Sequence, residues 1–285
     1  MILVKILIFI FSLLVFCSQL QASNDSVELT FGLYSSEKPS TLVKKFTPVL
    51  KKLEIEMAKD LNKPVEITLH ITKTYDEARD AFLSGQFDFV RFGPTSYVKS
   101  KQADPSIEIA AIETVQGSKV FYGIVAVPKN SDTETIDDLV GKTFAFGNRS
   151  STIGRFLAQR FLTENNITSS KLSDYAYLDR HDLVGRAVGD GRFDAGALKE
   201  NTFNKLVDDG IPIREVARFP NVTKPWLVSS HTSPEVKKSL SKSLLSIGNS
   251  KVLRPLKIDG FTIGTHSDFA DIEFCINHND SFFDN

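Results

Sequence analysis

The chain has 285 residues, with 34 Lys and Arg against 35 Asp and Glu and a net charge of −1. That balance excludes a global attraction to nucleic acid or anionic lipid. Two cysteines, Cys17 and Cys275, lie far apart, and the first falls in an N-terminal leader, so the folded chain has no internal disulfide to rely on and must be held by its core.

The leader is Met1–Leu20. Lys5 stands near its start, an apolar run follows from Ile6 to Cys17, and the polar Ser18, Gln19 and Gln21 lead to the small residues Ala22 and Ser23. This is the layout of a cleavable secretory signal peptide, assigned to residues 1–22. The apolar run is short for a membrane span, and an uncleaved anchor is the alternative. Phe16 before Cys17 argues against a lipoprotein. The expected product is a soluble, exported, periplasmic protein.

The mature chain alternates strand and helix. Glu28–Leu33 reads as a strand that opens onto Tyr34, Ser35 and Ser36. A helix from about Ser40 carries Leu42, Phe46, Val49, Leu50, Leu53, Met57 and Leu61 on one face. Val65–Ile71 alternates as a strand, Tyr75–Leu83 is a short helix stopped by Gly85, and Phe87–Phe92 is a strand. Gly93-Pro94-Thr95-Ser96 starts the next helix, with Pro94 in the first turn.

A second half repeats the plan. Tyr122–Val127 is a strand, Ile136–Val140 a helical turn, Lys142–Phe146 a strand and Phe156–Leu162 a helix. His181–Val188 is a helix, Phe193–Leu198 a strand, Lys199–Asp208 a helix, and another helix follows Ser233-Pro234 to about Ile247. GQFDFVRFG and GRFDAGALK match locally, each a helix stop feeding a buried strand. The order implies an α/β architecture of two lobes with a cleft between them. Ligands of such sheets sit beyond the carboxyl ends of the strands. The turns there are Tyr34–Ser36, Phe92–Ser96 and Asn148–Thr152, all rich in hydroxyls and all opening helices.

The third turn, in KTFAFGNRSSTIG, offers Ser150, Ser151 and Thr152 in a row before a helix. Uncapped N–H groups and the positive end of the helix dipole suit an anion there. One hydroxyl would serve as an ordinary N-cap. Three such turns favour a donor-lined cleft over three separate caps.

On these residues the chain resembles the solute-binding proteins of ABC transporters for phosphonate, phosphite and phosphate. The likeness runs from about Leu29 to Phe269. It rests on FGLYSSEKP, TYDEARDAFLSGQFDFVRFGPTSY, FGNRSSTIG and the late Asp259-Gly260-Phe261. The resemblance implies a type 2 periplasmic binding fold, with lobe 1 formed by 23–121 and 226–285 and lobe 2 by 122–225. The hinge crossings fall near 118–124 and 219–227.

It also implies that Tyr75 and Phe92 wall the site, that Ser150, Ser151 and Thr152 grip phosphorus oxygens, and that His181 reaches the ligand. With the turn residues Tyr34, Ser35, Thr95 and Ser96, these form the expected binding set. Glu200 matches an acid that faces the amine of aminophosphonates. A second such acid falls near Thr223-Lys224-Pro225, where this chain has lysine, which puts an aminoalkyl ligand in doubt. Arg91 and Arg149 flank the turns, either gripping an oxyanion or facing solvent.

The expected function is capture of a small phosphorus oxyanion by a monomer that hands it to an ABC permease. Alternatives are a sensory binding protein signalling to a receptor or kinase, and a binder of another small anion. No cofactor or metal is called for, as no HExxH or similar spacing occurs. An exported hydrolase would need a base that no motif marks, and there is no GxSxG elbow. Asp268, Asp271 and Glu273 read as a solvated acidic tail, and Trp226 as packing near the hinge.

Overall fold

The computed structural model describes residues 26–34, 38–248 and 251–284. The expected signal peptide and Ser35 lie outside them. Strand β1 (Val27–Tyr34) pairs in parallel with β2 (Val65–Thr72) and β3 (Phe89–Arg91). Between β1 and β2 runs α1 (Pro39–Leu61), whose apolar face buries Leu42, Phe46, Val49, Leu50, Leu53, Met57 and Leu61. Each such side chain taken fully out of water contributes roughly 1.5–3 kcal/mol. Pro39 suits the first turn, and Asn62 ends the helix in the left-handed region at φ 52°. Helix α2 (Tyr75–Leu83) starts on a reciprocal capping box between Thr74 and Glu77. Helix α3 (Pro94–Ala103) follows β3 directly.

Strand β4 (Glu108–Thr114) leads across to β5 (Val120–Pro128) in a second sheet. That sheet also holds β6 (Thr143–Phe146), β7 (Asp174–Tyr177), β8 (Ala195–Lys199) and β9 (Ile213–Val222), in the order β7-β6-β8-β5-β9. A π-helix over Thr152–Leu157 continues into α4 (Ala158–Glu164), while α5 (His181–Gly189) and α6 (Glu200–Asp208) flank β8. The chain then returns. Strand β10 (Pro225–Val228) inserts antiparallel between β3 and β4, and β11 (Gly260–Thr262), after α7 (Pro234–Ser246), completes the six-stranded order β11-β4-β10-β3-β1-β2. Both sheets are therefore mixed, with β10 and β11 antiparallel to their neighbours in the first and β5 antiparallel to β8 and β9 in the second.

The two crossings, at 115–119 and 223–224, run side by side. The Thr223 N–H donates to the Lys119 carbonyl at 2.7 Å, and the Glu113 N–H to the Lys224 carbonyl at 3.1 Å. Beside them Trp226 is fully buried, stacked on Phe31 with ring centres 4.8 Å apart. Its Nε1–H donates to Glu113 Oε1 at 3.0 Å. Glu113 is itself only 3% exposed and receives two bonds from Arg91, at 2.6 and 2.8 Å.

The end of the chain departs from the expected lobe 1 assignment of 226–285. Helix α8 (Ala270–Asn277) packs on both α3 and the π-helix, and a 3-10 turn over Asn279–Phe283 packs on α4. Phe282 finds an aromatic socket in the second sheet, 5.6 Å from Phe146 and 5.9 Å from Tyr175. Asn279 donates to Gln159 Oε1 at 2.8 Å. Of the three acids read as a solvated tail, Asp271 is exposed, but Asp268 is engaged. Asp268 takes the Lys119 ammonium at 2.9 Å and the Thr265 N–H at 2.8 Å. Burial of Phe269, Ile272, Cys275 and Phe282 outweighs the acids that surround them.

Strands β4, β7, β9 and β10 and helix α8 escape the periodicity reading. Among the described residues no helix is long and apolar enough to cross a membrane.

Candidate functional site

The hydroxyl-rich turns meet at the seam between the lobes. At the end of β1, the Tyr34 hydroxyl accepts the Gly93 N–H at 2.8 Å. A side chain at Gly93 would bring its Cβ within 2.9 Å of that hydroxyl and 3.6 Å of Thr152 Oγ1, so the close approach depends on glycine. Tyr75, the first residue of α2, stacks on Tyr34 with ring centres 3.8 Å apart. From the other lobe, Thr152 Oγ1 accepts the Thr95 N–H at 2.9 Å, and the Ser151 hydroxyl engages the Tyr75 phenol. Thr95, Ser96, Ser151 and Thr152 are all buried. One continuous apolar cluster backs the seam, joining Tyr34, Phe92 and Tyr97 to Phe144, Ile153 and Phe156. The lobes are therefore in contact here.

The turn that carries Ser151 is shaped by two glycines. The Gly147 N–H donates to the Gly154 carbonyl at 2.7 Å, and a Cβ on Gly154 would lie 2.8 Å from Gly147 Cα. No larger residue allows the strand end and the first helical turn to approach so closely. Ser151 Oγ caps the helix by accepting the Gly154 N–H at 3.0 Å. The helix opens as a π-helix, a widened turn that recurs at functional sites. Its first N–H groups, at Thr152 and Ile153, have no intrahelical acceptor. The hydroxyl run thus supplies an N-cap and leaves the first helical N–H groups at the seam.

Burial raises the phenol pKa of Tyr34, and raises that of Tyr75 well above its ordinary range, with the neighbouring Tyr34 adding to the rise. Both rings therefore stay neutral and can donate. Burial, then the charges of Lys199 and Lys224, holds His181 well below the usual imidazole range. It is neutral at pH 7.

A cavity of about 580 Å³ opens between the lobes along the crossing strands, with His181, Arg91, Lys199 and Lys224 on its wall. Three buried polar atoms at or beside the seam have no hydrogen-bond partner among the described residues: Thr95 Oγ1, His181 Nδ1 and Asn221 Oδ1. Each such orphan costs about 1–3 kcal/mol if left unmet.

Not every expected residue sits where the sequence reading put it. Tyr34, Tyr75, Thr95, Ser96, Ser151 and Thr152 converge. Phe92 does not wall a site; it is fully buried behind Tyr34 and Phe82, because the strand's alternation turns it into the core. Ser150 is half-buried, its N–H held by Asn148 Oδ1 at 2.8 Å. His181 starts α5 and faces the cavity instead of the hydroxyl cluster. Glu200 is drawn by Arg218, 3.3 Å away, and does not line the cavity.

Arg91 spends its two-pronged geometry on Glu113, and Arg149 lies over the Tyr177 ring at 4.1 Å. The cationic wall is what sequence reasoning missed. Its members come from distant segments, and only Lys224 and Arg91 gave a signal. No group of three or more His, Cys, Asp or Glu suited to a metal occurs among the described residues.

A family model described as the periplasmic substrate-binding protein of phosphonate ABC transporters matches residues 31–269. The probable ABC transporter phosphite binding protein PhnD1 of Prochlorococcus marinus is 28% identical over 189 residues, which cover 64% of this chain and 61% of that protein. The phosphonates-binding periplasmic protein of Escherichia coli is 22% identical over 201 residues, 69% of this chain and 57% of that one. The chain thus matches about three fifths of the length of these relatives.

Among solved structures, PhnD1 of Prochlorococcus marinus in complex with methylphosphonate superposes with a TM-score of 0.77 at 20% identity, covering 89% of this chain and 98% of that one. The binding protein component of a phosphonate ABC transporter from Pseudomonas aeruginosa gives 0.75 at 17% identity, covering 88% and 86%. These likenesses carry the two-lobed fold, and the family match covers nearly the whole described chain. The protein belongs to the family of periplasmic substrate-binding proteins of phosphonate ABC transporters.

Proposed function

We propose that the protein captures a small phosphorus oxyanion, a phosphonate, phosphite or phosphate, between its lobes and delivers it to an ABC permease. The observation that carries this reading is the meeting of hydroxyl-bearing turns from both lobes, centred on the Thr95 N–H and Thr152 Oγ1 contact at 2.9 Å. Neutral phenols, hydroxyls and uncapped helix N–H groups compensate an anion without full ion pairing. They bind it reversibly, as transport requires. The paired crossings at 115–119 and 223–224 serve as the hinge between 23–121 with 226 onward and 122–225, with the last residues strapped across both. Tyr34, Tyr75, Thr95, Ser96, Ser151 and Thr152 form the grip, and His181 lines the cavity next to it.

The protein acts as a binder and not an enzyme. It works as a monomer, without metal or cofactor, after a signal peptide over 1–22 has exported it. Its family supports the periplasmic location. Calorimetric titration of protein stripped by unfolding and refolding, with phosphate, phosphite, methylphosphonate and 2-aminoethylphosphonate, tests the reading. At least one is expected to bind with micromolar or tighter Kd, and heat from none of them refutes it.

A further inference from the structure

We propose that Arg155 and Gln159 are positioning residues for the binding turn: together they fix Arg149, and so set where Ser150, Ser151 and Thr152 stand. This deepens the reading above and rests on it.

The turn brings little packing of its own. Gly147 opens it, and Asn148, Arg149, Ser150 and Ser151 offer no apolar side chain to seat it on the core. Its posture must therefore come from hydrogen bonds. Asn148 supplies the local ones: its side-chain oxygen accepts the Ser150 N–H at 2.8 Å, and its carbonyl accepts the Ser151 N–H at 2.9 Å. An exposed bond from Asn148 Nδ2 to Asp179, at 3.2 Å, reaches the segment after β7.

A closed ring of contacts then ties the turn to the lobe. Arg155, in the π-helix, donates to the Arg149 carbonyl at 2.9 Å and from Nε to Gln159 Oε1 at 3.4 Å. Gln159, on α4, donates from Nε2 to the Tyr177 hydroxyl at 2.8 Å. The Tyr177 ring in turn faces the Arg149 guanidinium, 4.1 Å away. Arg149 is thus held at both its carbonyl and its side chain, by two residues that Gln159 joins. A bond from a guanidinium to a carbonyl is charge-assisted and among the stronger kinds.

Burial stiffens the ring. Gln159 is fully buried, and an amide that swings there loses its partners with no water to replace them. Its Oε1 also accepts the Asn279 amide at 2.8 Å, so one glutamine meets both the ring and the end of the chain. Arg149 directly precedes the hydroxyl run, from which Ser151 reaches Tyr75 and Thr152 reaches the Thr95 N–H. A turn already in place loses less entropy when it closes on a ligand.

The test is calorimetry on the whole protein with the tightest binder among phosphate, phosphite, methylphosphonate and 2-aminoethylphosphonate, beside hydrogen exchange of residues 147–154 without ligand. Arg155→Met keeps bulk beside the Phe156 ring and removes the donors. Its Kd should rise about three- to tenfold, the worth of one hydrogen bond, and exchange of 147–154 should quicken. Arg155→Lys keeps a donor for the Arg149 carbonyl and should stay within about threefold of wild type. Arg214→Met, which releases the Ser131 and Thr133 carbonyls of another loop in the same lobe, should leave both readouts unchanged. Should Arg155→Met not fold, Tyr177→Phe takes one hydroxyl from the ring and should weaken binding about two- to fivefold.

Weaker binding with unchanged ligand-free exchange would mark a direct ligand contact and overturn the positioning role. So would wild-type affinity in Arg155→Met, or in Tyr177→Phe where that variant stands in for it. A Lys variant as weak as Met, or an equal loss in Arg214→Met, overturns it too. Each of these leaves the oxyanion reading intact, whereas wild-type protein that binds none of the four anions overturns both.

Discussion

Replacing Thr152 by Val keeps the side chain's shape and removes one acceptor. In the closed arrangement the Thr95 N–H points at Thr152 Oγ1, 2.9 Å away, and both residues are buried. With Val there, the N–H stays buried without a partner, which costs about 1–3 kcal/mol. When the lobes part, water takes that N–H and the cost vanishes. The substitution therefore penalises closure and not folding. If ligand is held by the closed form, its Kd should rise roughly 5- to 150-fold at 1.4 kcal/mol per tenfold. Any direct bond from the lost hydroxyl to the ligand would add to this.

The assay is calorimetric titration with methylphosphonate, paired with thermal melting of the ligand-free protein. Thr152→Ser keeps the oxygen and loses a methyl worth about 0.8 kcal/mol, so it should stay within about fourfold of wild type. A Val variant within twofold of wild type, or a Ser variant as weak as Val, refutes the role given to this contact.

Further outcomes follow from other contacts. Gly93→Ala drives a methyl to 2.9 Å from the Tyr34 hydroxyl, displacing it from the Gly93 N–H, and should weaken methylphosphonate binding by about two- to tenfold in the same titration. Glu113→Ala removes the buried carboxylate that receives Arg91 and the Trp226 indole N–H, a loss of about 3–5 kcal/mol. At roughly 2–4 °C per kcal/mol for a chain of this size, the melting midpoint should fall by about 6–20 °C. Phe282→Ala empties the socket beside Phe146 and Tyr175 and should cost about 3–5 kcal/mol in denaturant unfolding.

His181 makes stability depend on pH. Its folded pKa is depressed while the unfolded imidazole titrates near about 6.5, so the unfolded chain holds the extra proton between the two values. The stabilisation is whole above about pH 6.5 and is lost as pH falls below it. His181→Gln should flatten the unfolding free energy between about pH 5 and 6.5, by up to about 1.4 kcal/mol per pH unit. Identical slopes for the two proteins would disprove this.

How much the sequence revealed depends on whether a feature is local. The helical face from Leu42 to Leu61, the strand before Gly147 and the hydroxyl run after it are written in consecutive residues, and the structure has them in those places. Strand β10 is four residues long, starts with proline and is buried on all sides, so no alternation marks it. Strand β9 contains Pro220, a residue that central strands exclude, but it lies at the sheet's edge where a missing N–H is tolerated. The convergence of Tyr34, Tyr75, Thr95 and Thr152 follows from strand ends that all face one way. The orientation of Glu200 does not, because Arg218, eighteen residues on, decides it. The cationic cavity draws on α1, β3, α5, β8 and the second crossing, and no window of sequence holds more than a few of its charges.

The strap at the end of the chain bears on how such a molecule can breathe. Two parallel ribbons alone make a door that swings freely about one edge. Here residues 266–283 latch onto the far leaf as well. Tyr97 meets His266 at 3.1 Å and Gln102 meets Glu273 at 3.2 Å on one side, while Arg160 meets Cys275 at 3.4 Å and Asn279 meets Gln159 at 2.8 Å on the other. Swinging wide means tearing one of these rows loose. A modest gape that lets the latch ride with one leaf and slide on its neighbour keeps most of both, so cargo exchange is confined to a narrow aperture unless an outside partner does the prying.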